Sequence, residues 1–152
     1  MQDDIIFYDV CTSHDIGNVS KLAVELWNDD YDELKNEFET IVNTQNNIVF
    51  TACFQKDMIA FAHCAIRNEY VEGADSNNVG YLEAVYVEEK FRNLGIASHL
   101  IERCEIWAKS KGCKQFASDC EVNNLSSINL HKKYGFNESA KLVHFIKNID
   151  VR

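Results

Sequence analysis

Two groups of residues have the types and spacing to do chemistry. The first is the run from Val87 to Ser98, Val-Glu-Glu-Lys-Phe-Arg-Asn-Leu-Gly-Ile-Ala-Ser. A strand end there passes through a tight turn containing Arg92, Gly95 and Ala97 into an amphipathic helix. Gly95 and Ala97 leave room for a diphosphate to approach the backbone, and the unpaired N–H groups of a helix N-terminus supply donors at the positive end of its dipole. The ligand expected is anionic, although one Gly and one Ala at a helix start also fit ordinary capping and packing. The spacing matches neither Gly-x-x-x-x-Gly-Lys-Ser/Thr nor Gly-x-Gly-x-x-Gly. The second group is a pair of carboxylates in unlikely places, Glu83 inside the apolar run Tyr81 to Val87 and Asp119 at the end of a short strand after Phe116. Such residues suit acid–base work or recognition of a cation. The plainer alternatives are an outward-facing strand residue for Glu83 and a helix N-cap or turn residue for Asp119.

The elements that must position these groups follow from hydrophobic periodicity. Ile5 to Val10 reads as an opening strand. Val19, Leu22, Ala23, Leu26 and Trp27 then recur on one helical face, and Tyr31, Leu34, Phe38, Ile41 and Val42 repeat the signal in a second helix. Ile48 to Phe54 and Met58 to Ile66 form a predicted hairpin joined by Gln55, Lys56 and Asp57. A polar loop over residues 68–78 precedes a strand from Val79 to Val87. Ile96, Leu100, Cys104 and Trp107 mark a third helix from Gly95 to Ser110, with Gly112 suited to its stop. A short strand from Gln115 to Asp119, a helix from Leu125 to Tyr134 ended by Gly135, and a closing strand from Leu142 to Ile149 complete the order β-α-α-β-β-β-α-β-α-β. A mixed sheet flanked by about four helices, an α/β fold in one domain spanning residues 1–152, is the economical solution.

Composition bounds the function. Of 152 residues, 15 are Lys or Arg and 24 Asp or Glu, for a net charge of −9. That balance argues against binding a nucleic-acid backbone and suits a cationic small substrate, while solubility alone explains it equally well. The only apolar run near the N-terminus is Ile5 to Tyr8, preceded by Asp3 and Asp4, so neither a signal peptide nor a membrane span is expected and a cytoplasmic location follows. Cys11, Cys53, Cys64, Cys104, Cys113 and Cys120 include no Cys-x-x-Cys pair. They read as reduced, mainly buried thiols, with no metal site expected.

The order Arg92-x-x-Gly95-x-Ala97 after an apolar strand resembles the acetyl-CoA pyrophosphate loop of the GNAT superfamily of N-acetyltransferases. A second match lies further on. Asn124, Ser127, Leu130, His131, Gly135 and Phe136 are similar to the family pattern Asn-x-x-Ala-x-x-Leu-Tyr-x-x-x-Gly-Phe. The resemblance implies the GNAT fold, with acetyl-CoA as co-substrate held by backbone groups of Val85, Tyr86 and Val87, by the turn Arg92, Asn93, Leu94, Gly95, Ile96, Ala97 and Ser98, and by Asn124. In the family the Tyr lies near the coenzyme sulfur as proton donor to the leaving thiolate. Here His131 stands at that position, where an imidazolium could do the same work or a solvated helix-face histidine could simply sit.

The segments Ile66 to Gly73, Tyr81 to Val87 and Ala117 to Asp119 look like the corresponding blocks of bacterial aminoglycoside 6'-N-acetyltransferases. The resemblance implies that Trp27, Tyr70, Glu83 and Asp119 line an aminoglycoside pocket with Asp30 at its edge, and that the protein is a homodimer. Asp30 falls where some relatives carry another polar residue, and Ala140 where some carry a pocket Glu, so the drug range does not carry over. A polycationic sugar needs carboxylates and amphipathic aromatic walls, which these residues provide. Trp27 and Tyr70 also read as core aromatics, and Asp30 as part of a solvated helix start.

The reaction inferred is direct transfer from acetyl-CoA to an amine, without an acyl-enzyme. An alkylammonium titrates near ~10.4, so on the order of one molecule in a thousand is neutral at pH 7 and the site must favour or generate the free amine. Asp119 is the first candidate for the base, through water, with Glu83 orienting the amine, or the two exchanged. A backbone N–H near Val85 or Tyr86 would hold the oxyanion. The rivals are a GNAT enzyme acting on a polyamine, another small amine or a protein N-terminus, a cysteine nucleophile, and an acyl-CoA sensor without turnover. No cysteine motif supports the nucleophile, and retained Glu83, Asp119 and Tyr70 speak against the sensor.

Overall fold

The computed structural model of the chain describes residues 5–149. It divides into two compact units, one running up to Asp119 and one from Cys120 onward. The first holds a five-stranded sheet in the order β1-β2-β3-β4-β5. Its strands are β1 (Ile6–Val10), β2 (Asn47–Phe54), β3 (Asp57–Arg67), β4 (Val79–Val87) and β5 (Phe116–Ser118), with helices α1 (Ile16–Trp27), α2 (Tyr31–Val42) and α3 (Ile96–Ser110). Strands β1 to β4 pair antiparallel with their neighbours in sequence. β5 returns parallel to β4 after the α3 crossover, the connection that a parallel pair requires.

Local chemistry sets the boundaries. Thr12 and Asp15 form a capping box on the short 3-10 turn that leads into α1. Asn28 ends α1 in the left-handed region, and Asp30 accepts from the Glu33 N–H at the start of α2. The β2–β3 hairpin turns on Gln55 and Lys56 with φ of 50° and 72°. Two successive positive φ angles match the right-handed twist of the flanking strands.

Val19, Leu22, Leu34, Phe38, Val49 and Phe61 form a buried cluster where α1 and α2 cover one face of the sheet. Cys64, three residues beyond Phe61 and so on the opposite face, points its sulfur at the Cys104 carbonyl of α3. α3 presses hard on that second face. A Cβ at Gly80 would stand 2.6 Å from the Cβ of Ala108, so only glycine permits this approach. Trp107, expected in the apolar seam of α3, is only half-buried, and Ile101 and Ala108 are buried in the seam.

The second unit contains α4 (Leu125–Lys133), capped by Asn124, whose side chain accepts from the Ser127 N–H. Gly135 follows with φ of 87°. The closing strand expected from Leu142 to Ile149 is not formed, and the segment has no regular secondary structure. Phe145 and Ile146 are 92% and 99% exposed there. An alternating apolar pattern signals surface that needs cover, but a strand exists only where another strand supplies the other half of its ladder. No described residue supplies it.

Candidate active site

The site begins at an irregularity in β4. Leu82 pairs with Cys64 and Ala84 with His63, which leaves Glu83 as the extra residue of a β-bulge. A bulge breaks strict alternation, so side chains of Tyr81 and Glu83, and then Ala84 and Tyr86, come to the same side of the sheet. Tyr81 and Glu83 both meet Arg67 of β3, while Ala84 and Tyr86 pack on the α1/α2 core. The bulge also coincides with the end of the β4–β5 ladder. Gly80, Tyr81 and Leu82 pair with Phe116, Ala117 and Ser118, and beyond Leu82 no strand among the described residues pairs with Glu83–Val87 on the β5 side. That edge presents backbone donors and acceptors in the register of a strand.

Two carboxylates are joined at this point. Arg67 Nε and Nη2 donate to Glu83 Oε1 and Oε2 at 2.8 and 2.7 Å, a bidentate pair. The guanidinium carbon lies 3.4 Å from the centroid of the Tyr81 ring, and the Tyr81 hydroxyl donates to Asp119 Oδ2. Burial, and then the hydrogen bond to Asp119, hold the Tyr81 phenol above its ordinary pKa, so it keeps its proton and remains the donor. Glu83 and Asp119, far apart in sequence, thus end one continuous chain of contacts. On the same strand as Arg67, His63 Nε2 lies 2.9 Å from Asn47 Oδ1. Burial lowers its pKa and outweighs the opposing pull of Glu83.

The other expected acceptor residues are placed differently. Trp27 is 42% exposed at the end of α1, with its ring edge-on to Phe61 at 6.2 Å. Tyr70 is 82% exposed in the loop, its hydroxyl donating to Glu72 at 2.6 Å. Asp30 is the N-cap of α2. Among the described residues, neither Tyr70 nor Asp30 makes a hydrogen bond or ion pair with the Glu83–Asp119 network.

The expected anion cradle follows β4 directly. Arg92 folds back so that its Nε donates to the Val87 carbonyl at 2.8 Å and its guanidinium lies over Tyr86. Its side chain fastens the strand end, which leaves the turn's backbone to meet a ligand. Asn93 and Gly95 have φ of 64° and 83°, and α3 starts without a side-chain cap. The N–H groups of Ile96, Ala97 and Ser98 therefore keep their donor capacity. Among the described residues, none beyond the chain neighbours of Gly95 places an atom within 4 Å of the position its Cβ would take. Open space above left-handed backbone and uncapped donors fits the diphosphate of a coenzyme. Beside it, an acidic hollow of about 450 Å³ is lined by Glu25, Tyr86, Glu88, Glu89 and Lys90. Its charge is of the wrong sign for a phosphate.

In the second unit, His131 Nδ1 donates to the Ser127 carbonyl at 2.6 Å, and its ring meets Phe136 edge-on at 5.2 Å. The proton on Nδ1 is set by that bond. Among the described residues no cluster of His, Cys, Asp or Glu could hold a metal ion. Cys11, Cys64, Cys104 and Cys113 are buried, and burial with Asp15 nearby pushes the Cys11 thiol up to about 12.

An open strand edge leading to an uncapped helix start, with paired carboxylates at its head, is the arrangement of a coenzyme A-dependent acyl transferase. Residues 14–136 match the acetyltransferase (GNAT) family, and the chain belongs to that family. It is 35% identical over 130 residues to the aminoglycoside N(6')-acetyltransferase type 1 of Acinetobacter haemolyticus, covering 86% of this chain and 90% of the relative. Among solved structures, the aminoglycoside antibiotic 6'-N-acetyltransferase AAC(6')-Ih from Acinetobacter baumannii superposes with a TM-score of 0.90 at 31% identity, covering 96% of this chain and all of that one. The enzyme AAC(6')-Iy in complex with the bisubstrate analogue CoA-S-monomethyl-acetylneamine superposes with a TM-score of 0.90 at 28% identity, covering 96% and 100% of the two chains.

Arg67, Tyr81 and His63 were not singled out as site residues by sequence reasoning. Alternation along β3 puts His63 and Arg67 on one side, and Tyr81 stands two residues before Glu83, so a signal existed. The bulge had none, because it follows from how two strands register.

Proposed function

We propose that the protein transfers acetyl from acetyl-CoA directly to the 6'-amine of an aminoglycoside and thereby confers resistance to the drug. The observation that carries this reading is the coincidence, at Glu83, of two features. The open β4 edge begins there, and there also the carboxylate pair faces the same side as the α1/α2 core. An acyl donor laid along Glu83–Val87 from the Gly95 turn would bring its reactive end to the carboxylates. Curated relatives and solved structures of like sequence carry the same activity in their names.

Acetyl-CoA supplies a thioester acyl group, and the chain supplies the rest. Backbone donors of Asn93 to Ser98 hold the anionic part, and the edge of Val85, Tyr86 and Val87 orients the chain that follows, with Asn124 as a further contact. A backbone N–H near Val85 or Tyr86 stabilises negative charge developing on the acyl oxygen. Asp119 takes the proton from the acceptor ammonium, through water, while Glu83 orients the amine. The amine nitrogen then bonds to the acyl carbon to give a tetrahedral oxyanion and loses its second proton to water. The oxyanion collapses as the carbon–sulfur bond breaks, and His131, as imidazolium, donates a proton to the departing sulfur and regains one from solvent. Trp27, Tyr70 and Asp30 form the sugar-facing wall. The whole of residues 1–152 acts as one acetyltransferase domain, a reading supported by a family match that runs across both compact units.

The exposed apolar segment Leu142–Ile149 supports a homodimer, since Phe145, Ile146 and Ile149 are surface that a second copy would cover. No helix among the described residues is long and apolar enough to cross a membrane, and a cytoplasmic location suits an enzyme that uses acetyl-CoA. The test is thiol release from acetyl-CoA with two matched drugs, one bearing an amine and one a hydroxyl at the 6' position. Release with the amine alone is expected, and equal release with both would reject the assignment.

A further inference from the structure

Among the described residues Arg67 is the one cation in contact with the acceptor carboxylates, and its geometry is unusually complete. Both Glu83 oxygens are taken by the guanidinium fork at 2.7 and 2.8 Å, its flat face lies 3.4 Å from the centre of the Tyr81 ring, and that ring's hydroxyl holds Asp119. Remove Arg67 and the chain loses its middle: Glu83 is released, and the Tyr81 ring, packed on its Val71 and Val79 neighbours, loses the guanidinium stacked on it. The charge changes too. With Arg67 present, Glu83, Asp119 and the guanidinium sum to −1, which suits a single ammonium at the reacting end. Without it the same place carries −2.

We infer that Arg67 is a positioning residue for the acetyl transfer: it locks Glu83 and, through Tyr81, Asp119 in the orientation the acceptor amine needs, and it sets the local charge to that of one ammonium. The inference rests on the proposed function. The guanidinium itself makes no bond in the reaction. It fixes χ angles of a carboxylate that would otherwise swing toward any cation, and a bidentate fork stacked on a ring does this better than a single flexible ammonium. A flexible Glu83 would still attract a polycation, so loss of Arg67 separates binding from turnover. Misplacement by about 1 Å is enough to cost on the order of 10²-fold in rate.

The experiment compares wild type, Arg67→Ala and Arg67→Lys, using kanamycin A as acceptor and thiol release as readout, with circular dichroism and thermal melting as checks on folding. For Arg67→Ala, kcat is expected to fall by roughly 10-fold to 10²-fold while the kanamycin KM stays level or drops. The acetyl-CoA KM should not move. Its kanamycin KM should also rise more steeply with ionic strength than that of wild type, since the uncompensated charge is larger and screening acts on it. Arg67→Lys keeps the charge and loses the fork, so it should restore the salt response without restoring kcat. A role confined to stability would lower the melting temperature and leave the kcat and KM of the folded enzyme alone. Unchanged kcat in folded Arg67→Ala, or a lower kcat with a raised kanamycin KM and a wild-type salt response, overturns the inference. Wild type that releases no thiol with kanamycin overturns the substrate reading itself, and the inference with it.

Discussion

Replacing Gly95 by alanine separates what the turn costs the fold from what it does for the ligand. Gly95 has φ of 83° and a Cβ placed there meets no described residue beyond its chain neighbours within 4 Å. In the free protein the only penalty is therefore the left-handed backbone, about 1–2 kcal/mol for a residue with a side chain. In a chain of this length that corresponds to a fall in Tm of roughly 2–8 °C, at about 2–4 °C per kcal/mol. The free protein should still fold. If the turn holds the diphosphate as proposed, the same methyl occupies the space the diphosphate must enter, so contact is lost between phosphate oxygens and the Ile96 to Ser98 donors. Hydrogen bonds to a charged group contribute about 1.5–3 kcal/mol each, so losing one raises the acetyl-CoA Kd by roughly 10-fold to 10²-fold. Gly95→Val adds β-branching at a positive φ and should lose more stability as well as more affinity. Arg92→Ala should do less than either, because Arg92 is committed to the Val87 carbonyl. Calorimetric titration of acetyl-CoA into each folded variant provides the assay. Wild-type affinity in folded Gly95→Ala would refute the placement of the diphosphate.

Other consequences are equally specific. Asp119→Asn should lower kcat by a factor of about 10² or more, the scale of losing a positioned base, and wild-type turnover would make Asp119 structural. Glu83→Gln leaves Arg67 uncompensated in front of a cationic substrate, so the aminoglycoside KM should rise with the acetyl-CoA KM unchanged, as steady-state kinetics would show. Burial depresses the pKa of His63 below its ordinary value of 6.5, so the unfolded chain takes up a proton before the fold does. The stability contributed by neutral His63 is complete above about pH 6.5 and is lost as pH falls from there through the folded-state value. Urea midpoints should drop between pH 7.5 and 5, and His63→Gln should flatten that slope. Light scattering should give the mass of a dimer, and a concentration-independent monomer mass would reject the association.

Periodicity located most of this fold because each element satisfies its own local chemistry. The strand from Val79 to Val87 ends where the sequence places it, and Gly112 and Gly135 take the left-handed conformation that their positions after helices imply. The strand, turn and helix start around Gly95 were legible for the same reason, since they lie consecutively in the chain. The acceptor side was legible only in part. Glu83 and Asp119 stood out as carboxylates among apolar neighbours, but their bridge through Arg67 and Tyr81 joins three strands or strand ends, and no local pattern encodes it. The bulge at Glu83 is a register effect between β3 and β4. Asp30 shows how one residue type supports two readings, because an acidic residue before a helix caps it whether or not a sugar lies nearby. The segment Leu142–Ile149 failed in an instructive way, since alternation states which faces are apolar and says nothing of what will pair with them.

The central claim is that the carboxylates at the head of the open β4 edge receive the 6'-amine of an aminoglycoside. It is tested most directly by incubating the protein with acetyl-CoA and kanamycin A, spermidine or no acceptor, measuring thiol release, and locating the new acetyl group by NMR. The account predicts release with kanamycin well above both controls and a single amide at the 6' nitrogen. Release with spermidine alone, acetylation at another amine, or a rate independent of acceptor would contradict it.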